Sequence, residues 1–111
     1  MFRGWFDCRE VDAFADGIVA DLVTRVPPAA IENLGKKAAG KLRKTHDWIF
    51  RRVQTFARAN ELNRYKRAHI GNRFKWALKE AGYPADFADA LTYELVTVVT
   101  LASARGGKTQ S

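Results

Sequence analysis

The sequence predicts an all-α fold, a small bundle of four to five helices that is completed as a homodimer. Apolar residues recur at steps of three and four along most of the chain, as they do on one face of an α-helix. Strong helix breakers separate these segments: a proline pair at Pro27 and a Gly-Tyr-Pro turn at Gly82. The 111 residues make one domain on the usual length prior. We place that domain at residues 1–104, followed by a flexible polar tail at residues 105–111.

The first predicted helix runs from Asp7 to Val26. Its apolar residues form one stripe along the helix axis: Val11, Phe14, Ile18, Leu22 and Val26. Asp7 is the expected N-cap, because Glu10 follows it at the spacing of a capping box and acidic residues are favoured in a first turn. The proline after Val26 disfavours helical geometry at that residue, so the helix should end there.

A short helix is predicted after the proline pair. Pro28 suits its first position, where the missing N–H group needs no partner, and the glycine at Gly35 favours an end at Leu34. From Lys41 the helical pattern returns, with apolar residues on one face: Leu42, Ile49, Val53 and Phe56.

Two arrangements fit residues 41–81. A second apolar set keeps the phase of the preceding one: Ile70, Phe74, Ala77, Leu78 and Ala81. One long helix is therefore a possible structure, but it would place Asn60, Asn63 and Arg67 at core positions, where polar groups without partners are costly. A turn near Asn60 is the favoured arrangement.

The last predicted helix spans residues 86–102. Its main apolar stripe is extended by the neighbouring valines Val96 and Val99: Phe87, Leu91, Leu95, Val98 and Ala102. The β-branched run at residues 96–100 would also suit a strand, but a single strand has nothing to pair with. We therefore predict a helix.

The composition indicates a soluble, cytoplasmic protein. The most apolar run contains Asp89 and Glu94 and is shorter than the ~20 residues that a membrane span needs, so no span is expected. The first residues lack the apolar segment of a signal peptide. The single cysteine, Cys8, cannot form an internal disulfide and gives no sign of an oxidising compartment.

Positive charge is concentrated in the middle of the chain. Residues 36–79 hold fourteen of the nineteen Lys and Arg residues but only two acidic residues, whereas both flanking segments are net acidic. On a helical wheel, five of these cations share one polar stripe with Trp48: Lys37, Lys41, Lys44, Arg51 and Arg52. Cations on a surface release counterions from a phosphate backbone, which makes nucleic acid a candidate partner. The alternatives are a solvated helix face and internal pairing with the acidic first helix.

A second stripe, which we call the aromatic stripe, follows at steps of four, seven and eleven: Tyr65, His69, Asn72 and Trp76. The cations Lys66, Arg73 and Lys79 flank it. Aromatic faces and amides offer stacking or base contacts to a nucleic acid. The alternative is a packing surface or a subunit interface, because exposed aromatic stripes usually mark contact surfaces.

No catalytic or metal motif is recognisable in the sequence. The candidate ligands Cys8, His46 and His69 do not have the spacing of a metal site. No nucleophile can be paired with a base, and no glycine-rich loop has the spacing that cradles phosphates. We therefore predict no enzymatic activity, no cofactor and no small-molecule substrate.

Two hypotheses for function lead, and a third, a small enzyme, is retained only because the sequence does not show geometry. The first is a non-enzymatic binding protein for nucleic acid or another polyanion, in which the cations hold phosphates while Trp48, Tyr65 and Trp76 stack or pack. The second is a helical protein–protein interaction or scaffold module that docks an acidic partner and forms a homodimer, since the acidic ends of the chain complement its basic middle. A helix-turn-helix interpretation is disfavoured, because the helix after Gly82 is acidic and apolar.

Overall fold

A computed structural model describes residues 7–60 and 62–107, with side chains described as far as Ser103. The described residues form five helices and no strand, which confirms the predicted all-α fold. In chain order the helices are α1 (Arg9–Arg25), α2 (Pro28–Glu32), α3 (Lys36–Asn60), α4 (Arg64–Ala81) and α5 (Ala85–Gly107).

The four long helices form an elongated bundle that measures 47 × 24 × 20 Å. Around the bundle, α1 packs against α4, α4 against α5, and α5 against α3, while α3 and α1 make the slightest contact of the four pairs. The consecutive helices α3 and α4 are therefore diagonal to each other. Three hydrogen-bonded pairs join α1 or its C-cap to α4 or the turn after it: Asp12 with His69, Asp16 with Arg73, and Val26 with Tyr83. The partners in each pair are 57 positions apart, so α1 and α4 run parallel.

The core is built from the apolar stripes that the sequence predicts. Each long helix contributes side chains that are fully buried, because the helical spacing places them on one face. The largest of them are Phe74, Ile18, Leu22, Ile49, Ile70, Leu78, Leu95, Val26, Val53 and Val99. Within the described residues, none of the helices has the length and apolar content required to cross a membrane.

The limits of α1 and α2 follow the prolines. α1 ends at Arg25 with Val26 as its C-cap, and α2 begins at Pro28, both as predicted. α2 ends at Glu32, two residues before the expected position.

The predicted N-cap of α1 is wrong by one residue. The cap is Cys8, which makes no side-chain capping bond. Asp7 instead accepts hydrogen bonds from the backbone N–H and the guanidinium of Arg9. These bonds to Arg9 hold the pKa of the Asp7 carboxyl well below its usual range.

Two separate helices occupy this part of the chain, one ending at Asn60 and the next beginning at Arg64, as the sequence favours. The polar residues that one long helix would have buried are used at this break. Asn63 is the N-cap of α4, and its side chain accepts a 2.8 Å hydrogen bond from the Lys66 N–H. Asn60 Nδ2 donates to the carbonyl of Phe56, and Arg67 Nη1 donates to the carbonyl of Leu62. The break between the two helices thus gives Asn63 and Arg67 partners that a continuous helix would lack.

The turn between α4 and α5 is fixed by Gly82 and Tyr83. Gly82 adopts φ 104°, the left-handed geometry that the sequence predicts for a glycine cap. Tyr83 is buried, and its hydroxyl donates a 2.6 Å hydrogen bond to the carbonyl oxygen of Val26. Burial raises the pKa of Tyr83 to about 12.

The β-branched run at residues 96–100 lies within helix α5, so it is helical and does not form a strand. Helix α5 crosses α4 closely at Gly71, where an added Cβ atom would lie 2.7 Å from Val96 Cγ2. The helix continues to Gly107, past the domain boundary expected at residue 104. The rest of the predicted tail, residues 108–111, lies outside the described residues.

Candidate binding surface

His69 and Arg73, which the sequence predicts as binding residues, face acidic residues of α1. His69 Nε2 lies 2.7 Å from Asp12 Oδ1. Arg73 binds Asp16 through two parallel hydrogen bonds, Nε to Oδ1 at 2.9 Å and Nη2 to Oδ2 at 2.7 Å. The hydrogen bond from Arg73 lowers the pKa of Asp16, although partial burial opposes the shift. Internal pairing with the first helix, one of the alternatives raised by the sequence, therefore holds for these residues.

Arg52 joins α3 to α1. Its Nη1 atom donates a 2.6 Å hydrogen bond to Asp21 Oδ2, and its guanidinium carbon lies 4.7 Å from the centre of the Trp48 ring. This side chain is half-buried and already has one charged partner. It therefore serves first as a link across the α1–α3 contact.

The remaining cations of the predicted α3 stripe are exposed. We call these four side chains the cationic stripe: Lys37, Lys41, Lys44 and Arg51. Within the described part of the chain they form neither ion pairs nor hydrogen bonds through their side chains. They occupy steps of four, seven and fourteen on one face of α3, so the stripe is about 21 Å long at ~1.5 Å per residue. Of the cations predicted to bind a partner, these four form the largest group without a carboxylate partner among the described residues.

Trp48 lies beside the cationic stripe, at the border between surface and core. It is partly buried and packs against the core, which the sequence did not predict for a residue in a polar stripe. The guanidinium carbon of Arg25 lies 4.1 Å from the centre of the Trp48 ring, so a cation from the last turn of α1 covers the indole. Sequence reasoning missed Arg25, because nothing in the sequence shows that the end of α1 meets the middle of α3.

A groove, which we call the seam groove, follows the α1–α3 contact beside the cationic stripe. Its volume is about 590 Å³. Phe14 and Phe56 form part of its wall and stack on each other with ring centres 4.0 Å apart and an angle of 6° between the rings. The full lining is Phe14, Trp48, Arg51, Arg52, Thr55, Phe56, Ala59 and Asn60. Aromatic rings and cations therefore meet in one recess, at the side of the bundle where the helices contact each other least.

The aromatic stripe lies elsewhere on the molecule. Tyr65 and Trp76 are 43% and 56% exposed, so neither packs into the core of this chain. Asn72 is exposed as well, whereas Lys66 and His69 are partly buried. Because α3 and α4 are diagonal in the bundle, the structure does not bring the aromatic stripe together with the cationic stripe.

The other contacts between oppositely charged side chains of different helices involve His46 and two lysines of α4. His46 Nε2 lies 2.8 Å from Glu94 Oε1, and Lys75 and Lys79 share Asp89. Among the described residues, no three His, Cys, Asp or Glu side chains come close enough together to hold a metal ion.

Comparison with known proteins adds no assignment. The chain matches no protein-family model, and searches of curated proteins and of solved structures find no match.

Proposed function

We propose that this chain is a non-enzymatic binding protein that holds a nucleic acid by its phosphate backbone along the cationic stripe. The observation that carries the proposal is the difference between two groups of cations. Arg52, Arg73, Lys75 and Lys79 have carboxylate partners in the chain, whereas the four members of the cationic stripe are exposed without one among the described residues.

The arrangement of the stripe supports a linear polyanion as the partner. Its members project from one helix at intervals of one to two turns, so they can follow consecutive charges along a backbone. Arg25 adds a cation from α1 next to Trp48. Exposed cations without partners repel one another, and an anionic ligand relieves that repulsion.

Salt titration tests the proposal. We expect an oligonucleotide labelled with a fluorophore to bind with an affinity that falls steeply with salt. Each of Lys37→Gln, Lys41→Gln and Lys44→Gln should lower the slope of log K against log salt by about one unit. Lys79→Gln is the matched control, because Lys79 lies on α4 near Asp89, and it should leave the slope unchanged. Absence of binding to DNA and RNA at low salt would contradict the proposal.

A second candidate function is self-association through the outer face of α5. Tyr93 and Leu101 are 75% and 61% exposed, and the exposed Thr97 lies midway between them at steps of four. Between Tyr93 and Leu101 the sequence has one charged residue, Glu94, which is directed to His46. A helix face of this kind can pack on its own copy about a twofold axis.

Sedimentation analysis over a concentration series tests the homodimer. We expect a dimer that Thr97→Lys converts to a monomer, because two lysines would then face each other across the axis. Thr24→Lys makes the same change at an exposed position of α1 and should leave the dimer intact. A strict monomer at all concentrations would exclude this candidate.

A further inference from the structure

We infer that the nucleic acid is single-stranded and that the seam groove takes its unpaired bases. This inference rests on the proposed binding of phosphates along the cationic stripe, and it adds a second subsite of different chemistry. The two subsites meet at Arg51, which belongs to the stripe and also lines the groove. A backbone held along the stripe therefore passes the mouth of the groove.

The lining of the groove suits a nucleobase. Phe14 and Phe56 supply aromatic surface, and bases also stack on arginine guanidinium groups such as that of Arg51. The volume of about 590 Å³ lies within the range of roughly 300–1,000 Å³ that is usual for sites that hold small organic groups.

Polar atoms at the rim can address the edge of a base. The Asn60 amide nitrogen donates to the carbonyl of Phe56, and the Thr55 hydroxyl donates to the carbonyl of Arg51. The amide oxygen of Asn60 and the lone pairs of the Thr55 hydroxyl therefore stay available as acceptors. Both residues line the groove, about 7.5 Å apart along the axis of α3.

A duplex does not make use of this groove. Bases in a duplex are stacked and paired, so it offers mainly phosphates to a surface of this kind, and the stripe alone would bind them. Unpaired bases can turn away from their backbone and enter a recess between two helices. The closeness of the groove to the stripe thus favours a single strand.

Three ligands of equal length separate the two subsites: an oligothymidylate, an abasic oligonucleotide with the same phosphates, and a DNA duplex. Fluorescence anisotropy at low salt gives their affinities. We expect the abasic strand and the duplex to bind roughly fivefold or more weakly than the oligothymidylate, which is the effect of losing one stacked base.

A variant that fills the groove gives an independent test. Ala59 is exposed and lines the groove, so Ala59→Leu should obstruct it without disturbing the core. We expect this variant to bind oligothymidylate roughly fivefold or more weakly and the abasic strand as before. Ala13→Leu makes the same change at an exposed position of α1 outside the groove and should change neither affinity. Thermal unfolding of both variants checks that the fold is retained.

The outcomes are distinguishable. Equal, salt-dependent affinities for the oligothymidylate and the abasic strand would overturn the base subsite and leave the phosphate stripe in place. Tighter binding of the duplex would overturn the single-strand inference. If polyglutamate displaced the oligothymidylate as well as unlabelled oligothymidylate does, the occupant would be an acidic protein. That result would also overturn the single-strand inference. Absence of binding to all three ligands would overturn the proposed function together with the inference.

Discussion

The hydroxyl of Tyr83 donates a 2.6 Å hydrogen bond to the carbonyl oxygen of Val26, which connects the end of α1 to the turn between α4 and α5. Both residues are buried. A helix end has carbonyl groups without partners in the helix, and here a side chain that lies 57 residues further along the chain supplies one. The contact fixes where α1 stops relative to the rest of the bundle.

Tyr83→Phe should lower the free energy of unfolding by about 1–3 kcal/mol, because it leaves a buried carbonyl without a donor. Urea denaturation at neutral pH measures the loss. Tyr93→Phe is the matched control, since Tyr93 is 75% exposed, and it should cost less than ~0.5 kcal/mol. Equal stabilities of the two variants would contradict the hydrogen bond as a source of stability.

The same tyrosine predicts a loss of stability at alkaline pH. Its pKa is raised in the folded protein to about 12, from an ordinary value of 10.0, because burial disfavours the phenolate. The contribution of the neutral hydroxyl is therefore complete below pH 10 and is lost as the pH rises towards 12. We expect the stability difference between the wild type and Tyr83→Phe to shrink over that interval. A difference that stays constant would show that the hydroxyl does not titrate with unfolding.

Acid should weaken the link between α1 and α4. The folded-state pKa of Asp16 is lowered by its hydrogen bonds from Arg73, so the pair stabilises the fold above the ordinary carboxyl pKa and loses this effect as the pH falls through the lowered value. Asp16→Asn should therefore be less stable than the wild type at neutral pH, and the difference should narrow below about pH 4. Thermal unfolding across pH measures it, with Asp86→Asn as a control. A constant difference would argue against the ion pair.

Replacement of glycine by alanine should have opposite effects on stability at two helical positions, one at the close crossing of α4 and α5 and one on α1. Gly71→Ala brings a Cβ atom to 2.7 Å from Val96 Cγ2, so it should destabilise the protein by about 1–3 kcal/mol. Gly17→Ala meets nothing within 4 Å and should stabilise α1 by about 0.5–1 kcal/mol. Combining Gly71→Ala with Val96→Ala should recover part of the loss. Additive losses in the double variant would show that the two side chains do not clash.

Trp48→Ala should cost about 2 kcal/mol, less than a tryptophan in the centre of a core and more than one on an open surface. The ring packs against the core on one side and lies under the guanidinium groups of Arg25 and Arg52. Trp76→Ala is the matched control, because that ring is 56% exposed, and it should cost far less. A larger loss at Trp76 would mean that its face is covered in solution.

The sequence was sufficient for the all-helical fold and for several helix limits, because these limits depend on neighbouring residues. Pro28 and Gly82 act through the geometry of their own backbone, and the apolar steps of three and four select one face of each helix. The choice between one helix and two at residues 41–81 was also decided locally, since Asn63 caps α4. The N-cap of α1 was misplaced because Asp7 binds Arg9 instead of capping the helix.

The candidate site was predictable only in part, because it depends on the order of helices around the bundle. Asp16 and Arg73 are 57 residues apart, and no local pattern shows that α1 and α4 run parallel in that register. The same packing determines which cations stay unpaired, and it moves Trp76 away from the cationic stripe. Arg25 is the clearest example, since its contact with Trp48 exists only because α1 ends beside the middle of α3.

The slight contact between α3 and α1 has a consequence for the dynamics of the chain. The backbones of α1 and α3 approach each other less than those of the other neighbouring helix pairs, so hydrogen exchange should report the lowest opening energies along the seam. A ligand bound in the seam groove would contact both α1 and α3 and hold them together. Occupancy should therefore slow exchange in α1 and α3 together and raise the melting temperature with ligand concentration.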